Sequence, residues 1–141
     1  LGQSLYGKRC LDLFAGSGAL GFEAASRGAV EVVMVESNRA VFKVLRDNAE
    51  KLALGNLALH CEDGLKFAVH AIDTFDVVFL DPPFQSDYLS QLLPRLPTLL
   101  APDGVVYMES GSEFDAGEDW QRLKQGRAGA VHFQLLACTR A

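Results

Sequence analysis

Short apolar runs alternate with helix-like segments along most of this chain, and this alternation limits the folds that the chain can adopt. The apolar runs, many of them rich in β-branched residues, lie at 10–14, 31–35, 57–61, 76–80 and 104–108. Strands that alternate with helices pair in parallel, because each helix carries the chain back across the sheet. We therefore predict an α/β fold with a doubly wound, mostly parallel sheet and helices on both faces.

The last part of the chain departs from this alternation. Residues 120–124 and 131–138 have strand-like composition and are joined by a glycine-rich turn at 126–129. Two such runs on either side of a glycine-containing turn predict an antiparallel hairpin. The sequence thus predicts five strand–helix repeats followed by a hairpin, in a single domain over residues 1–141.

Two segments between the strands give more specific predictions. Ser37 or Asn38 can cap the helix that follows the second strand, and residues 87–100 predict a helix interrupted near Pro94 and Pro97. Five positions of the capped helix have i, i+3, i+4 spacing and predict one buried face: Val41, Val44, Leu45, Asn48 and Leu52.

Composition excludes several classes of protein. The three cysteines are too few and too widely spaced for a disulfide framework or a zinc site, and Cys10 and Cys61 lie in strand-like runs where we expect buried thiols. The three histidines are also far apart, so we predict no metal site. No apolar run reaches the roughly 18 residues of a membrane span, so we expect a soluble, cytoplasmic protein without a membrane partner, and a monomer by default.

A glycine-rich turn follows the first strand. The segment from Asp12 to Gly21 reads DLFAGSGALG and contains the GxGxxG pattern, which lets the backbone turn sharply and come close to a ligand. Glu36 ends the second strand 20 residues after Gly16, where a carboxylate can accept hydrogen bonds from both hydroxyls of a ribose. The alternative for Glu36 is a surface residue that caps the next helix. Ribose recognition alone does not choose between NAD and S-adenosylmethionine, because both carry an adenosine.

Two aspartates near this turn need an explanation. Asp12 lies inside the first strand, where a charge is costly unless it is paired, so we expect it to hold the loop or to meet a cationic ligand group. Asp63 follows the third strand. It can accept a hydrogen bond from an adenine amino group or cap the helix after it, and the sequence favours neither.

The strongest local signal is the Asp81-Pro82-Pro83-Phe84 turn after the fourth strand. An exocyclic base amine is a poor nucleophile, because its lone pair is delocalised into the ring. The Asp81 carboxylate and the Pro82 carbonyl can accept its two N–H groups, so that the lone pair turns towards a methyl donor and the growing positive charge is stabilised. Phe84 offers a flat face for a flipped base, a stacking contact typically worth about 1–3 kcal/mol. The alternative is a rigid structural turn, which does not require the acid or the aromatic ring.

Together these motifs identify a family. The string DLFAGSGALG from Asp12, the string EAASRGA from Glu23, the Val35-Glu36 pair and the DPPF turn from Asp81 closely resemble the bacterial 16S rRNA guanine-N2 methyltransferases of the RsmD type, from about Lys8 to Cys138. The resemblance implies a Rossmann-like class I methyltransferase fold with a seven-stranded sheet, S-adenosylmethionine as methyl donor, no metal, and ribosomal RNA or the assembling small ribosomal subunit as partner.

The resemblance also implies roles for individual residues. Gly16 and Gly18 are expected at the methionine end of the cofactor, Glu36 at the ribose and Asp63 at the adenine. The full set of expected cofactor-binding residues is Asp12, Phe14, Gly16, Gly18, Glu36, Asp63 and Asp81. The expected catalytic residues are Asp81, Pro82 and Phe84, and the expected base-binding residues are Pro83 and Phe84.

Charge is distributed unevenly along the chain. The net charge is −5. Every Asp and Glu lies at or before Asp119, and the charged residues after it are all basic: Arg122, Lys124, Arg127 and Arg140. This basic end could contact a nucleic-acid backbone or simply be a solvated edge. Family members carry a basic segment before the first strand that is not found here, and we expect its absence to contribute to the acidic balance.

Two other functions remain as alternatives. One is methylation of a different amino group, such as the N6 amine of DNA adenine, because the DPPF turn also occurs in such enzymes. The other is an NAD-dependent oxidoreductase built on the same glycine turn, although this function leaves the DPPF turn unexplained. The sequence does not identify the nucleotide that is modified.

Overall fold

The computed structural model describes residues 4–82, 87–111 and 114–139. Strands and helices alternate along the chain until the last two strands. In order, the elements are β1 (Arg9–Asp12), α1 (Ala19–Ser26), β2 (Glu31–Glu36), α2 (Arg39–Leu52), β3 (Leu57–Cys61), α3 (Gly64–His70), β4 (Phe75–Leu80), α4 (Tyr88–Leu92), α5 (Leu96–Leu99), β5 (Leu100–Ser110), β6 (Trp120–Ala128) and β7 (Val131–Cys138). No helix within these ranges is long and apolar enough to cross a membrane.

The strands form one seven-stranded sheet in the order β3-β2-β1-β4-β5-β7-β6. Strands β1 to β5 pair with one another in parallel, whereas β7 pairs antiparallel with both β5 and β6. The predicted doubly wound sheet with a C-terminal antiparallel hairpin is therefore confirmed. Because the strand order reverses between β1 and β4, the carboxyl ends of these two strands border the crevice in which such sheets bind ligands.

Both faces of the sheet are covered by helices. Helices α3, α4 and α5 bury Phe67, Leu92 and Leu96 against one face, and α1 and α2 bury Ala24 and Leu45 against the other. The side chains of β4 from Val77 to Leu80 alternate between these two cores and are buried. This position explains why β4 reads as a continuous apolar run, since neither of its faces meets water.

Helix α2 covers less of the sheet than its spacing predicts. Leu45 is fully buried, but Val44 and Leu52 are 51% and 50% exposed, so the prediction that they share a buried face is wrong. The reason is that α2 packs mainly over β2 and β3, at one side of the sheet. Of the two predicted cap residues, Ser37 and Asn38, the structure shows Asn38 as the cap of α2. Its side chain accepts a hydrogen bond of 3.1 Å from the backbone N–H of Val41.

Two other differences arise at the sides of the sheet. Cys61 is exposed, contrary to prediction, because β3 is an outermost strand of the sheet that the described residues form. Cys10, in contrast, is buried in β1, and burial with the nearby charge of Asp76 raises its pKa to about 11. The predicted turn at 126–129 is shorter than expected, since β6 continues to Ala128.

Candidate active site

A cleft of about 510 Å³ lies at the carboxyl ends of β1, β2 and β4. It is bordered by the turn after β1, the end of β2, the start of α3 and the first residues after β4. The residues that line it are Asp12, Leu13, Phe14, Ala15, Gly16, Ser17, Ala19, Leu20, Glu36, Ser37, Gly64, Asp81 and Pro82. A volume in this range is typical of small-molecule and cofactor sites.

The glycine turn gives the cleft one of its walls. Gly16 has a φ of +56° and Gly18 a φ of +103°, which is a left-handed conformation that residues with a side chain rarely adopt. A Cβ atom on Gly16 would meet no atom within 4 Å, so this part of the backbone is open to the cleft. Gly18 is the cap residue of α1, and a Cβ atom there would lie 2.2 Å from the ring of Phe22. At Gly16 the turn therefore exposes its backbone to the cleft, and at Gly18 it packs closely against Phe22 of α1.

Glu36 lines the cleft and is held in place by two backbone N–H groups. Its Oε1 atom accepts a hydrogen bond of 2.9 Å from the N–H of Gly16, and its Oε2 atom accepts one of 2.8 Å from the N–H of Asn38. Each carboxylate oxygen can accept a further hydrogen bond. The structure therefore fixes the orientation of Glu36 and leaves acceptor capacity on a residue that lines the cleft.

Asp12 is the most deeply buried acid of the cleft, with 1% of its surface exposed. Its Oδ1 atom accepts a hydrogen bond of 3.4 Å from the N–H of Phe14, which ties the carboxyl group to the turn. The pKa of Asp12 is raised to about 7, mainly by burial; the negative charges of Asp81 and Glu36 act in the same direction, and the backbone N–H groups that Asp12 accepts from act against it. A cationic group in the cleft would favour the ionised form.

Asp81 and Pro82 line the cleft directly after the end of β4. Asp81 directly follows β4 and is half-buried, and Pro82 is buried. Burial raises the pKa of Asp81 to about 6, and the charge of Glu109 and a side-chain hydrogen bond with Glu109 raise it in the same direction. At neutral pH the Asp81 carboxyl group is therefore mostly ionised and can accept hydrogen bonds.

Asp63 lies beside the cleft rather than in its lining. Its Oδ2 atom accepts a hydrogen bond of 3.0 Å from the N–H of Lys66, which makes Asp63 the cap of α3. Its Oδ1 atom accepts one of 3.3 Å from the hydroxyl of Tyr88, whose ring packs against Phe14 at 5.4 Å. The capping role is thus confirmed, and the adenine role remains a prediction.

The structure brings most of the predicted site residues together. Asp12, Phe14, Gly16, Glu36, Asp81 and Pro82 line the same cleft, whereas Gly18 and Asp63 do not line it and are the cap residues of α1 and α3. Pro83 and Phe84 lie outside the described residues. Within the described ranges, no group of three or more His, Cys, Asp or Glu side chains is arranged to hold a metal ion.

Sequence reasoning missed Gly64, which lines the cleft at the start of α3. A Cβ atom on Gly64 would lie 2.6 Å from the carbonyl oxygen of Leu13 and 3.2 Å from the ring of Phe14. Only glycine lets α3 come this close to the turn after β1. A glycine directly after a capping aspartate was the available signal, but its importance depends on a contact between residues distant in sequence.

Comparison with known proteins identifies the family. Residues 1–137 match the family described as "Conserved hypothetical protein 95". The chain belongs to this family. It is 34% identical over 134 residues to ribosomal RNA small subunit methyltransferase D of Escherichia coli K12, a match that covers 90% of this chain and 67% of the relative. The corresponding Haemophilus influenzae enzyme is also 34% identical, over 93% of this chain and 72% of the relative.

Solved structures lead to the same family. A candidate methyltransferase of Escherichia coli superimposes with a TM-score of 0.88 and 31% identity, over 97% of this chain and 80% of that chain. The sheet is therefore a class I methyltransferase fold, and the chain is a methyltransferase of the RsmD family. These findings favour a methyltransferase over the oxidoreductase that the glycine turn alone left open.

Proposed function

We propose that this chain transfers a methyl group from S-adenosylmethionine to the exocyclic N2 amine of a guanine in small-subunit ribosomal RNA. The observation that carries the proposal is the meeting of Glu36, Asp12 and Asp81 in one cleft of a chain that belongs to the RsmD family. The relatives named above are ribosomal RNA small subunit methyltransferases, and the guanine N2 target is what resemblance to RsmD-type enzymes implies.

The donor set of the cleft suits S-adenosylmethionine. Glu36 is oriented by Gly16 and Asn38 and offers its remaining acceptor positions to the hydroxyls of a ribose. Asp12 lies near the turn, where a negative carboxylate would pair with the ammonium of the methionine moiety. Bare backbone at Gly16 allows close approach of the ligand. S-adenosylmethionine supplies an electrophilic methyl group on a sulfonium.

The acceptor amine would be held by Asp81 and Pro82. The Asp81 carboxylate and the Pro82 carbonyl each accept one N–H, which turns the nitrogen lone pair away from the base ring. Positive charge develops on that nitrogen during methyl transfer, and a carboxylate fixed beside it stabilises this charge. Proline contributes no N–H of its own that would compete for these acceptors. In this mechanism Pro83 and Phe84 hold the flipped base by stacking.

Binding and transfer can be tested in two steps. Calorimetric titration with S-adenosylmethionine, S-adenosylhomocysteine and NADH should give binding of the first two and none of NADH. Incubation with radiolabelled S-adenosylmethionine and unmodified small-subunit RNA, or small-subunit particles, should then label the RNA, and nuclease digestion with mass spectrometry should yield N2-methylguanosine.

Other outcomes would change the proposal in defined ways. Binding of NADH alone would overturn the choice of cofactor. N6-methyladenosine in DNA, with unlabelled RNA, would replace the acceptor and keep the chemistry of Asp81. Binding of S-adenosylmethionine without transfer to RNA or DNA would leave the cofactor assignment and remove the nucleic-acid acceptor.

A further inference from the structure

Asp63 holds its two carboxylate oxygens in two separate hydrogen bonds. Its Oδ2 atom accepts from the backbone N–H of Lys66 over 3.0 Å, which is the bond that caps α3. Its Oδ1 atom accepts from the hydroxyl of Tyr88 over 3.3 Å, and Tyr88 lies 25 residues further along the chain, at the start of α4. Capping explains only the first bond. The second fixes the rotation of the carboxylate and leaves each oxygen able to accept from one more donor.

The ring of Tyr88 is held against the wall of the cleft. It packs on Phe14 with ring centroids 5.4 Å apart and an angle of 53° between the ring planes. Phe14 lines the cleft, and so does Gly64, on which a Cβ atom would lie 3.2 Å from the ring of Phe14. Tyr88 therefore contacts the turn after β1 through its ring and the start of α3 through its hydroxyl.

The order of the strands places Asp63 at one end of the cleft. Asp63 follows β3, which is the neighbour of β2, and the backbone N–H of Glu62 donates to the carbonyl oxygen of Glu36 over 3.1 Å. Asp12 ends β1 and Asp81 follows β4, so both lie on the other side of Glu36 in the order of the strands. A ligand whose ribose lies at Glu36 and whose cationic end lies at Asp12 therefore extends its base towards Asp63.

The chemistry at this end of the cleft suits the base of an adenosine. Phe14 offers an apolar ring, Gly64 a backbone without a side chain, and Asp63, next to Gly64, a carboxylate with free acceptor positions. The exocyclic amine of adenine is a donor with which a carboxylate can form a hydrogen bond. The charge of Asp63 raises the pKa of Tyr88, so the hydroxyl keeps its proton in the neutral range and can donate to an ionised carboxylate.

We propose that Tyr88 is a positioning residue for the adenine end of the cofactor. Its hydroxyl orients the Asp63 carboxylate towards the exocyclic amine, and its ring keeps Phe14 in place beside the base. The proposal rests on the proposed function, because it takes S-adenosylmethionine as the ligand of the cleft. It goes further by naming a residue of α4, outside the glycine turn and outside the lining of the cleft, that sets the affinity for one part of the cofactor.

The test compares two ligands that differ only at the amine. One is S-adenosylhomocysteine, and the other is its analogue in which hydrogen replaces the exocyclic amine of the base. Tyr88→Phe keeps the ring and removes the hydroxyl, so it should weaken binding of S-adenosylhomocysteine about three- to tenfold. Binding of the analogue should stay within about twofold of the wild type, because the analogue has no amine for Asp63 to accept from. Calorimetric titration of both proteins with both ligands measures the four affinities.

Two further variants complete the comparison. Tyr88→Leu removes the hydroxyl and the ring, so it should lose the preference between the ligands and also weaken the binding of each through the lost contact with Phe14. Tyr107→Phe is the matched control. The hydroxyl of Tyr107 donates to Glu109 over 3.0 Å, so this variant also loses a hydrogen bond to a carboxylate, but neither residue lines the cleft. Both affinities of the control should equal those of the wild type.

The outcomes separate this proposal from the proposed function. A wild-type protein that binds S-adenosylhomocysteine but transfers no methyl group to RNA would sink the proposed function, while the titrations would still decide the role of Tyr88. Equal weakening of both ligands in Tyr88→Phe, or weakening of neither, would overturn the positioning role, since packing alone does not depend on the amine. If Tyr88→Phe does not fold, Tyr88→Leu decides instead, and a wild-type preference between the ligands in that variant would overturn the proposal. A wild-type protein that binds neither ligand would overturn both proposals.

Discussion

The carboxylate of Glu36 accepts the backbone N–H of Gly16 over 2.9 Å, so the residue expected to bind the ribose also fixes the turn expected to approach the cofactor. A second hydrogen bond of 2.8 Å, from the N–H of Asn38, fixes the other carboxylate oxygen. The three groups come from the turn after β1, the end of β2 and the connection between β2 and α2. Binding of the ribose and the shape of the glycine turn are therefore coupled through one side chain.

Glu36→Ala should weaken binding of S-adenosylmethionine by about 1–3 kcal/mol, the usual cost of losing a charged hydrogen-bond partner. Glu36→Gln, which keeps one carbonyl oxygen for Gly16 or Asn38, should cost less. Calorimetric titration of both variants measures the difference. An affinity of Glu36→Ala equal to that of the wild type would remove the ribose assignment. Asp47→Ala on the exposed side of α2 controls for loss of an acid elsewhere.

The sequence predicts the fold well for strands whose two faces are both covered by other parts of the chain, because burial then determines which residues are apolar. The continuous run in β4 is such a case, because both faces of that strand are covered. The same reasoning failed for Val44 and Cys61, which lie at the side of the sheet formed by β2 and β3. Periodicity indicates which residues share a face, but the order of the strands decides whether that face is covered.

The candidate site divides in a similar way. Asp12, Gly16, Glu36 and Asp81 could be predicted because each ends a strand or lies in the segment just after one, and the carboxyl ends of parallel strands meet. The contact of Glu109 with Asp81 could not, because it depends on the register between β4 and β5. A contact that depends on how two strands are aligned leaves no local motif in the sequence.

Asp81→Ala should abolish methyl transfer and leave affinity for S-adenosylmethionine nearly intact. The reason is that Asp81 contributes an acceptor for the target amine, which matters in the transition state more than in cofactor binding. Asp81→Asn keeps one acceptor oxygen and should retain a small residual rate. Single-turnover transfer to small-subunit RNA, with calorimetry alongside, measures both quantities. Full activity in Asp81→Ala would be incompatible with the proposed role.

Asp12 should make the protein less stable as the pH rises. Its pKa is raised from 3.8 to about 7, so between these values the folded protein keeps a proton that the unfolded chain has lost. The free energy of unfolding therefore falls as the pH rises from about 4 to 7 and stays low above 7. Asp81, with a pKa of about 6, adds to the same trend.

Asp12→Asn tests this directly, because asparagine has almost the same shape, can still accept from the N–H of Phe14 and does not ionise. The free energy of unfolding of Asp12→Asn minus that of the wild type should be larger at pH 8 than at pH 4, by on the order of 2–4 kcal/mol. Urea denaturation at the two pH values gives the comparison, and Asp47→Asn is the control. The same difference between variant and wild type at both pH values would mean that Asp12 is not buried as a neutral acid.

The hairpin of β6 and β7 should contact the RNA backbone. Arg127 pairs with His132, which pairs with Ser110 at the carboxyl end of β5, so the tip of the hairpin lies at the same end of the sheet as the cleft. Lys124 and Arg127 are exposed, and neither forms an ion pair within the described residues. Two cations at this end of the sheet suit backbone phosphates of an RNA whose target base is held at Asp81.

Removing these two charges should weaken RNA binding and also make it less sensitive to salt. For single-stranded RNA, each phosphate that the protein no longer neutralises should reduce the slope of log K against log salt concentration by about 0.7. A slope lower by about 1.4 is therefore expected for a variant in which Lys124 and Arg127 are both alanine, with affinity for S-adenosylmethionine unchanged. Lys51→Ala, in the last turn of α2 and away from the cleft, is the matched control. A slope equal to that of the control would make the hairpin a solvated edge and move the RNA-binding surface elsewhere on the chain.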